Sequence, residues 1–244
     1  MMMMTLTPIM MVMILTHQYK LYGLAGILVI GGSPSPQSVE FWSAVDPEQG
    51  SCVLTDYPRE MITDSTVNLV SGRLVACCDD TCEIYREGSW RHLQDTKEWR
   101  EFHSTATTED AVLLIGGTDS EYNDIFSTEW IPMDGSAARP GPFTVRQGHS
   151  LCTIQISHDI IVVTGGHWTG DLVTQYHLFG GPETPLTPLG QYRFGHGCAV
   201  YQDAEDRQVS FALSSFKSSL QLTTFILPYY CECSGPSGYR GAGF

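Results

Sequence analysis

The chain has 244 residues, 42% of them hydrophobic and 16% charged, which suits one large or two small packed domains and excludes a disordered tail. Acids outnumber bases 27 to 13, a formal net charge of -14 with no Lys/Arg cluster to offset it, so nucleic acid is not an expected partner. The only asparagines, Asn68 and Asn123, do not open an Asn-x-Ser/Thr triplet, so N-glycosylation is excluded.

Residues 1–16, MMMMTLTPIMMVMILT, form an apolar segment that Pro8 interrupts. It is too short for a membrane span, and no Ala-x-Ala cleavage site precedes Lys20. A secretion signal, a start-site artefact and a genuine strand all remain open for it. No other stretch is expected to span a membrane.

From residue 17 onward one pattern recurs. The first copy runs from His17 through an apolar strand to Gly31-Gly32, then to SVEFW (38–42) and SCVL (51–54). In the second copy Asp64 takes the histidine place and Asp79-Asp80 the glycine place, followed by CEIY (82–85) and WRHL (90–93). The third copy has Arg100, His103, the strand AVLLI, Gly116-Gly117, STEWI (127–131) and the Pro-bearing AARPGPF. The fourth has Arg146, His149, DIIVVT, Gly165-Gly166, TQYHL (174–178) and TPLTPL. The fifth keeps Arg193 and His196 but carries Ser214-Ser215 where glycines are expected. The histidines of the last three copies lie 46 and 47 residues apart, and Glu40, Glu83, Glu129 and Gln175 are spaced 43, 46 and 46 apart.

Each copy reads as four short strands divided by Gly, Pro, Asp and Ser, and no helical periodicity competes. Four antiparallel strands at a period near 50 describe a propeller blade rather than a sandwich. Inner strands apolar on both faces fit blades packed between neighbours. Proline in the fourth strand places that strand on an exposed edge. The double glycines supply a sharp turn at positive φ and room for a neighbouring aromatic, with Trp42, Tyr85, Trp130 and Tyr176 as candidates. The Arg-x-x-His lead-ins read as architectural, because a motif repeated in register with a fold is explained by the fold.

On the double glycines, the Arg-x-x-His lead-ins and the downstream Glu-aromatic pairs, residues 17–227 resemble the kelch-repeat β-propeller family. The resemblance implies an all-β propeller with about five recognisable four-stranded blades, the CCDD copy and the last copy departing from the pattern. Related propellers commonly close with six or seven blades, so the chain is expected to be a fragment or an incomplete ring. Residues 228–244, a Cys/Gly-rich tail, fit no blade.

The cysteines leave several readings open. Cys78 and Cys82 face each other across a short loop and could form a disulfide; Cys52 could instead pair with Cys77 or Cys78; the thiols could stay reduced and buried. A zinc site at Cys77, Cys78 and Cys82 lacks a second Cys-x-x-Cys half. Cysteine content and the apolar start lean towards an extracellular location.

No catalytic motif is visible, and no catalytic, cofactor-binding or metal-binding residue is expected. The leading reading is a non-enzymatic interaction scaffold that binds a protein or peptide through loops on one face. The alternative, a copper or other metal-dependent enzyme of the galactose-oxidase type, would draw on Tyr85, Tyr122, Tyr176, His149 and His196. The candidate binding loops follow the double glycines, at residues 33–37, 118–126 and 167–171. The second carries Asp119, Glu121, Tyr122 and Asp124, and the third carries Trp168 and Asp171. Aromatics ringed by acids suit a basic partner.

Overall fold

The computed structural model describes residues 11–14, 24–30, 37–43, 51–59, 66–202, 208–213 and 226–227, and every regular element among them is a β-strand. A first antiparallel sheet contains β1 (Met11–Ile14), β2 (Leu24–Ile30), β3 (Val39–Ser43) and β4 (Ser51–Val53). A second holds β5 (Thr66–Val70), β6 (Arg73–Arg86) and β7 (Ser89–Arg100). The third is a four-stranded meander of β8 (Ser104–Thr107), β9 (Ala111–Ile115), β10 (Ser127–Pro132) and β11 (Arg139–Thr144). The fourth repeats it with β12 (Leu151–Gln155), β13 (Ile160–Gly165), β14 (Val173–His177) and β15 (Thr184–Pro185). The pair β16 (Gly197–Gln202) and β17 (Gln208–Leu213) follows. The last described strand, β18 (Ile226–Leu227), returns to pair with β2 at Ala25 and Leu24.

The all-β expectation holds among the described residues, while their sheets have five, three, four, four and two strands rather than the expected uniform fours. The Pro-bearing segments do lie on edges: β11 and β15 end their sheets, and Arg139, Pro140, Thr184 and Pro185 are exposed. The apolar start contributes β1, paired with β2 over Met11–Ile14. Residues 1–10, His17, Gly31-Gly32, Ser214-Ser215 and the 228–244 tail lie outside the described residues.

The third sheet shows why its inner strands are apolar throughout. Alternate residues of a strand point to opposite faces. On β9, Leu113 and Ile115 pack with Ile161, Val163 and Tyr176 of the fourth sheet. Val112 and Leu114 pack with Val75, Cys82 and Ile84 of the second. Trp130 and Ile131 on β10 divide in the same way. Both faces of this sheet are therefore buried, each Leu or Ile contributing about 1.5–3 kcal/mol. The first strands of successive sheets also lie side by side, β5 against β8, β8 against β12, and β12 against β16.

The double glycines sit where two lead-ins cross. Gly116 and Gly117 have φ 63 and 110, Gly165 and Gly166 have φ 68 and 107, all in the left-handed region. A Cβ on Gly117 would meet the carbonyl oxygen of Glu101 at 2.6 Å, and one on Gly165 would meet that of Arg193 at 2.6 Å. Gly117 N–H donates to the Gly148 carbonyl (3.1 Å) and Gly166 N–H to the Arg193 carbonyl (3.0 Å). What comes closest is thus the lead-ins themselves, by their backbone at Gly117 and Gly166 and by both the Arg193 carbonyl and the His196 imidazole at Gly165. Each lead-in histidine is preceded by a left-handed residue, Phe102 (φ 53), Gly148 (φ 73) or Gly195 (φ 57).

Arg100 anchors the third sheet from inside. Its side chain is 2% exposed and reaches the carbonyls of Gly116 (3.0 Å) and Ser127 (3.1 Å), the Ser127 hydroxyl (2.8 Å) and Glu98 (2.9 Å). Its contact with buried Glu129 is longer, 3.4 Å, and Glu129 also accepts the Lys97 N–H at 2.6 Å. Burial pushes the guanidinium below its ordinary value and the Glu129 carboxyl above its own. The ion pair therefore offsets desolvation, and the carbonyl bonds fix the geometry. Glu83, the corresponding residue of the second sheet, is likewise buried and meets the Tyr57 hydroxyl and Arg59 (3.4 Å). In the fourth sheet the position is Gln175, a neutral side chain, and Arg146 turns outward to an ion pair with Glu183.

The cysteine reading needs correction. The bridge joins Cys77 to Cys82, not Cys78 to Cys82. Five extended residues would span about 16 Å, yet these Cα atoms lie 4.1 Å apart. The chain of β6 therefore doubles back at 78–81, where Asp79 has φ 56. Residues 73–77 pair with β5 and residues 79–86 with β7, so the element is two strands joined tightly. That turn sets Cys77 opposite Cys82 and leaves Cys78 as a buried thiol beside Asp79. Pairing through Cys52 lies outside the described side chains. A second bridge, Cys152–Cys198, joins β12 to β16 with Cα atoms 6.0 Å apart.

Two predictions follow from these anchors. Arg100→Met leaves Glu129 buried without its cation and lowers unfolding free energy by about 3 kcal/mol in a denaturant titration, whereas exposed Arg146→Ala changes it by less than about 1 kcal/mol. Replacing Cys152 and Cys198 together with alanine costs about 4 kcal/mol for a loop of 46 residues. Non-reducing peptide mapping recovers Cys77 linked to Cys82 and Cys152 linked to Cys198.

Candidate functional site

The three lead-in histidines do not share one role. His103 Nδ1 meets the Arg100 carbonyl (3.1 Å), so Nδ1 carries the hydrogen and Nε2 accepts from the Thr66 hydroxyl (3.0 Å). His196 Nε2 meets the Thr164 hydroxyl at 2.8 Å. Thr66 and Thr164 belong to the preceding sheet in each case, so these histidines link sheets, an architectural role. His149 departs from the pattern. It is half-buried, and its Nδ1 lies 2.7 Å from Asp124 Oδ1.

Asp124 comes from the 118–126 loop and is itself mostly covered, with 12% of its side chain exposed. Trp168 Nε1–H donates to its other oxygen. Gly148 makes this convergence possible: a Cβ there would collide with the Asp124 carboxylate and lie 3.1 Å from the Trp168 ring. His167, next to Trp168, stacks on His149 with ring centroids 4.5 Å apart and planes at 26°. Its backbone is pinned on both sides, its N–H donating to the His149 carbonyl (3.0 Å) and its carbonyl accepting the Tyr192 hydroxyl. Phe102 borders His149 at 5.8 Å, and Phe194 borders His167 at 6.1 Å. The Tyr192 ring rests on Gly170, where a Cβ would come within 2.6 Å of it.

Of the residues singled out by sequence, the structure brings Asp124 and Trp168 into contact. Asp119 turns into its own loop, accepting the N–H groups of Glu121 (2.8 Å) and Asn123 (2.8 Å) and the Asn123 side chain (2.9 Å). These bonds, the Asn123 side chain first, hold its carboxyl below the usual range and make it a loop brace. Glu121 is exposed, and Tyr122 is 71% exposed in a left-handed conformation, φ 63. Asp171 is exposed and lends its carbonyl to Leu189 N–H (2.8 Å). The 33–36 part of the first loop lies outside the described residues.

Three of the residues that a copper oxidase would draw together sit in separate surroundings. Tyr176 is buried and stacked on Phe143 at 4.5 Å, Tyr85 lies edge-on to Trp90 at 5.2 Å, and His196 is bound to Thr164. Sequence reasoning missed His167, Tyr192 and Phe194. The signal was available: an aromatic or His directly follows Gly165-Gly166, and two aromatics flank Arg193 in the next lead-in.

No family model matches the chain, and no curated protein matches it. A solved structure described as "Structure of YjhT" is similar in fold, with a TM-score of 0.63 at 11% identity. The match covers 80% of this chain and 73% of that one, and at this identity it shows the fold alone.

The linking histidines give a pH prediction. Burial, with the nearby Arg100 and Arg193 charges second, lowers His103 and His196 to about 4 from the ordinary 6.5. The folded state thus disfavours protonation that the unfolded chain accepts. Their contribution to stability is complete above about pH 6.5 and is lost as pH falls towards about 4. Urea midpoints followed across that window decline in the parent chain. His103→Gln, which keeps a hydrogen-bonding group, removes roughly half of this histidine-linked decline.

Proposed function

We propose that this chain is a kelch-type β-propeller acting as a non-enzymatic interaction scaffold, and that its loop face binds a basic protein or peptide. The propeller reading draws support from a third sheet covered on both faces, from first strands lying side by side, and from β18 returning to β2. Two disulfides favour an oxidising, extracellular setting.

The observation that carries the binding reading is the exposure of large rings on braced loops. Trp168 is 63% and Tyr122 71% exposed, and Tyr192 (54%) and Phe194 (47%) extend the same surface around His167. Rings held at low entropic cost supply area to bury on binding, and the acidic chain steers a cation towards them. Glu121 and Asp171 are the exposed acids of these loops.

The test is binding of Lys/Arg-rich peptides by fluorescence anisotropy at two salt concentrations. Tyr122→Ala and Trp168→Ala each weaken binding by about thirtyfold, the loss of about 2 kcal/mol expected of an aromatic hot spot. Melting temperatures stay within about 2 °C of the parent chain. Unfolding of both variants, or parent-like affinity in both, overturns the assignment.

A further inference from the structure

We propose that Asp124, His149 and His167 form a binding site for a divalent first-row transition ion, with Zn2+ as its simplest probe. One ligand atom from each of the three lies within 4.8 Å of the others. Two imidazoles with one carboxylate suit zinc and its neighbours in the series; calcium and magnesium prefer oxygen throughout. Three protein ligands leave a fourth position for water or a donor atom from outside the chain.

The geometry demands only small movements. Bonds of about 2.0–2.1 Å from a tetrahedral ion place ligand atoms about 3.3 Å apart. His149 Nδ1 and Asp124 Oδ1, now 2.7 Å apart, would open by roughly half an ångström. The ion takes the place of the hydrogen between them, and the neutral imidazole carries its hydrogen on Nε2 instead. His167, with one ligand atom already within 4.8 Å of the other two, closes the remaining gap by a turn of its exposed ring.

The surroundings are those of a built site. The Trp168 indole N–H holds the second Asp124 oxygen, the kind of outer contact that orients a ligating carboxylate. The missing side chain at Gly148 gives Asp124 its place. The two imidazoles are already stacked, with Phe102 and Phe194 beside them, so little conformational freedom remains to be lost. This inference does not depend on the peptide reading, since the ion is titrated with no partner present.

The experiment uses the full chain with disulfides intact, stripped with a chelator and titrated with Zn2+ by calorimetry, and with Co2+ by visible absorption. Binding of Zn2+ at this site is expected, with His167→Ala and Asp124→Asn each weakening it more than about tenfold and Trp168→Phe by about tenfold. Ca2+ in excess does not compete. His167 is exposed, so His167→Ala keeps the fold and decides the matter even if Asp124→Asn unfolds. Absence of Zn2+ binding, or binding that His167→Ala leaves unchanged, overturns the proposal; the latter would place the ion on other histidines or thiols.

Discussion

A buried guanidinium must find acceptors, and much of the third sheet is arranged around that demand. Arg100 reaches the carbonyl that ends one strand, at Gly116, and the carbonyl that begins the next, at Ser127. Both would otherwise be backbone groups at a strand turn with few partners. The same side chain therefore satisfies its own donors, closes the turn and holds the lead-in that bears His103. The carboxylate of Glu129 makes the arrangement tolerable by offsetting charge rather than by a short bond. Where the next repeat offers Gln175, the cation has no buried counterpart and leaves for the surface.

The strands and their edges were legible because their signals are local. Alternate residues of AVLLI must go somewhere apolar on both sides, and proline bars a strand from the middle of a sheet. The double glycines were legible as turns at positive φ, but only partly in what they accommodate: a lead-in carbonyl oxygen leaves no trace in residue type, whereas the His196 ring against Gly165 does. The Cys77–Cys82 bridge was displaced by one position from the expected pair because the left-handed Asp79 sets the register of the turn, and aspartate takes that conformation without announcing it. The Cys152–Cys198 bridge had a readable sign. The two cysteines are separated by 46 residues, one repeat, which puts them on equivalent first strands of successive units.

The site was half legible. Asp124 and Trp168 were found as loop residues, yet as exposed groups rather than partners to each other. Asp119, the most acidic-looking choice, braces its own turn. His149 hid behind a repeated motif. A repeated histidine invites one explanation for every copy, but only His103 and His196 bind the threonine of the preceding sheet. The chain tolerates left-handed backbone at Phe102, Tyr122 and Ser150 on this same face. Such conformations persist where the surroundings over-determine them, and they tend to gather at sites of function.

The Cys152–Cys198 bond also changes what kind of object the fourth sheet is. Residues 152–198 become a covalent ring that contains His167, Trp168, Tyr192 and Phe194, while Asp124 and His149 stand on the chain outside it. The turn 179–182 on that ring is exposed, with Phe179 63% accessible, and is open to a protease. A cut there would linearise the ring without releasing a fragment. Tyr192 and Phe194 would stay moored beside His167, so the loop face could survive a nick that in a reduced chain would part those two rings from Trp168.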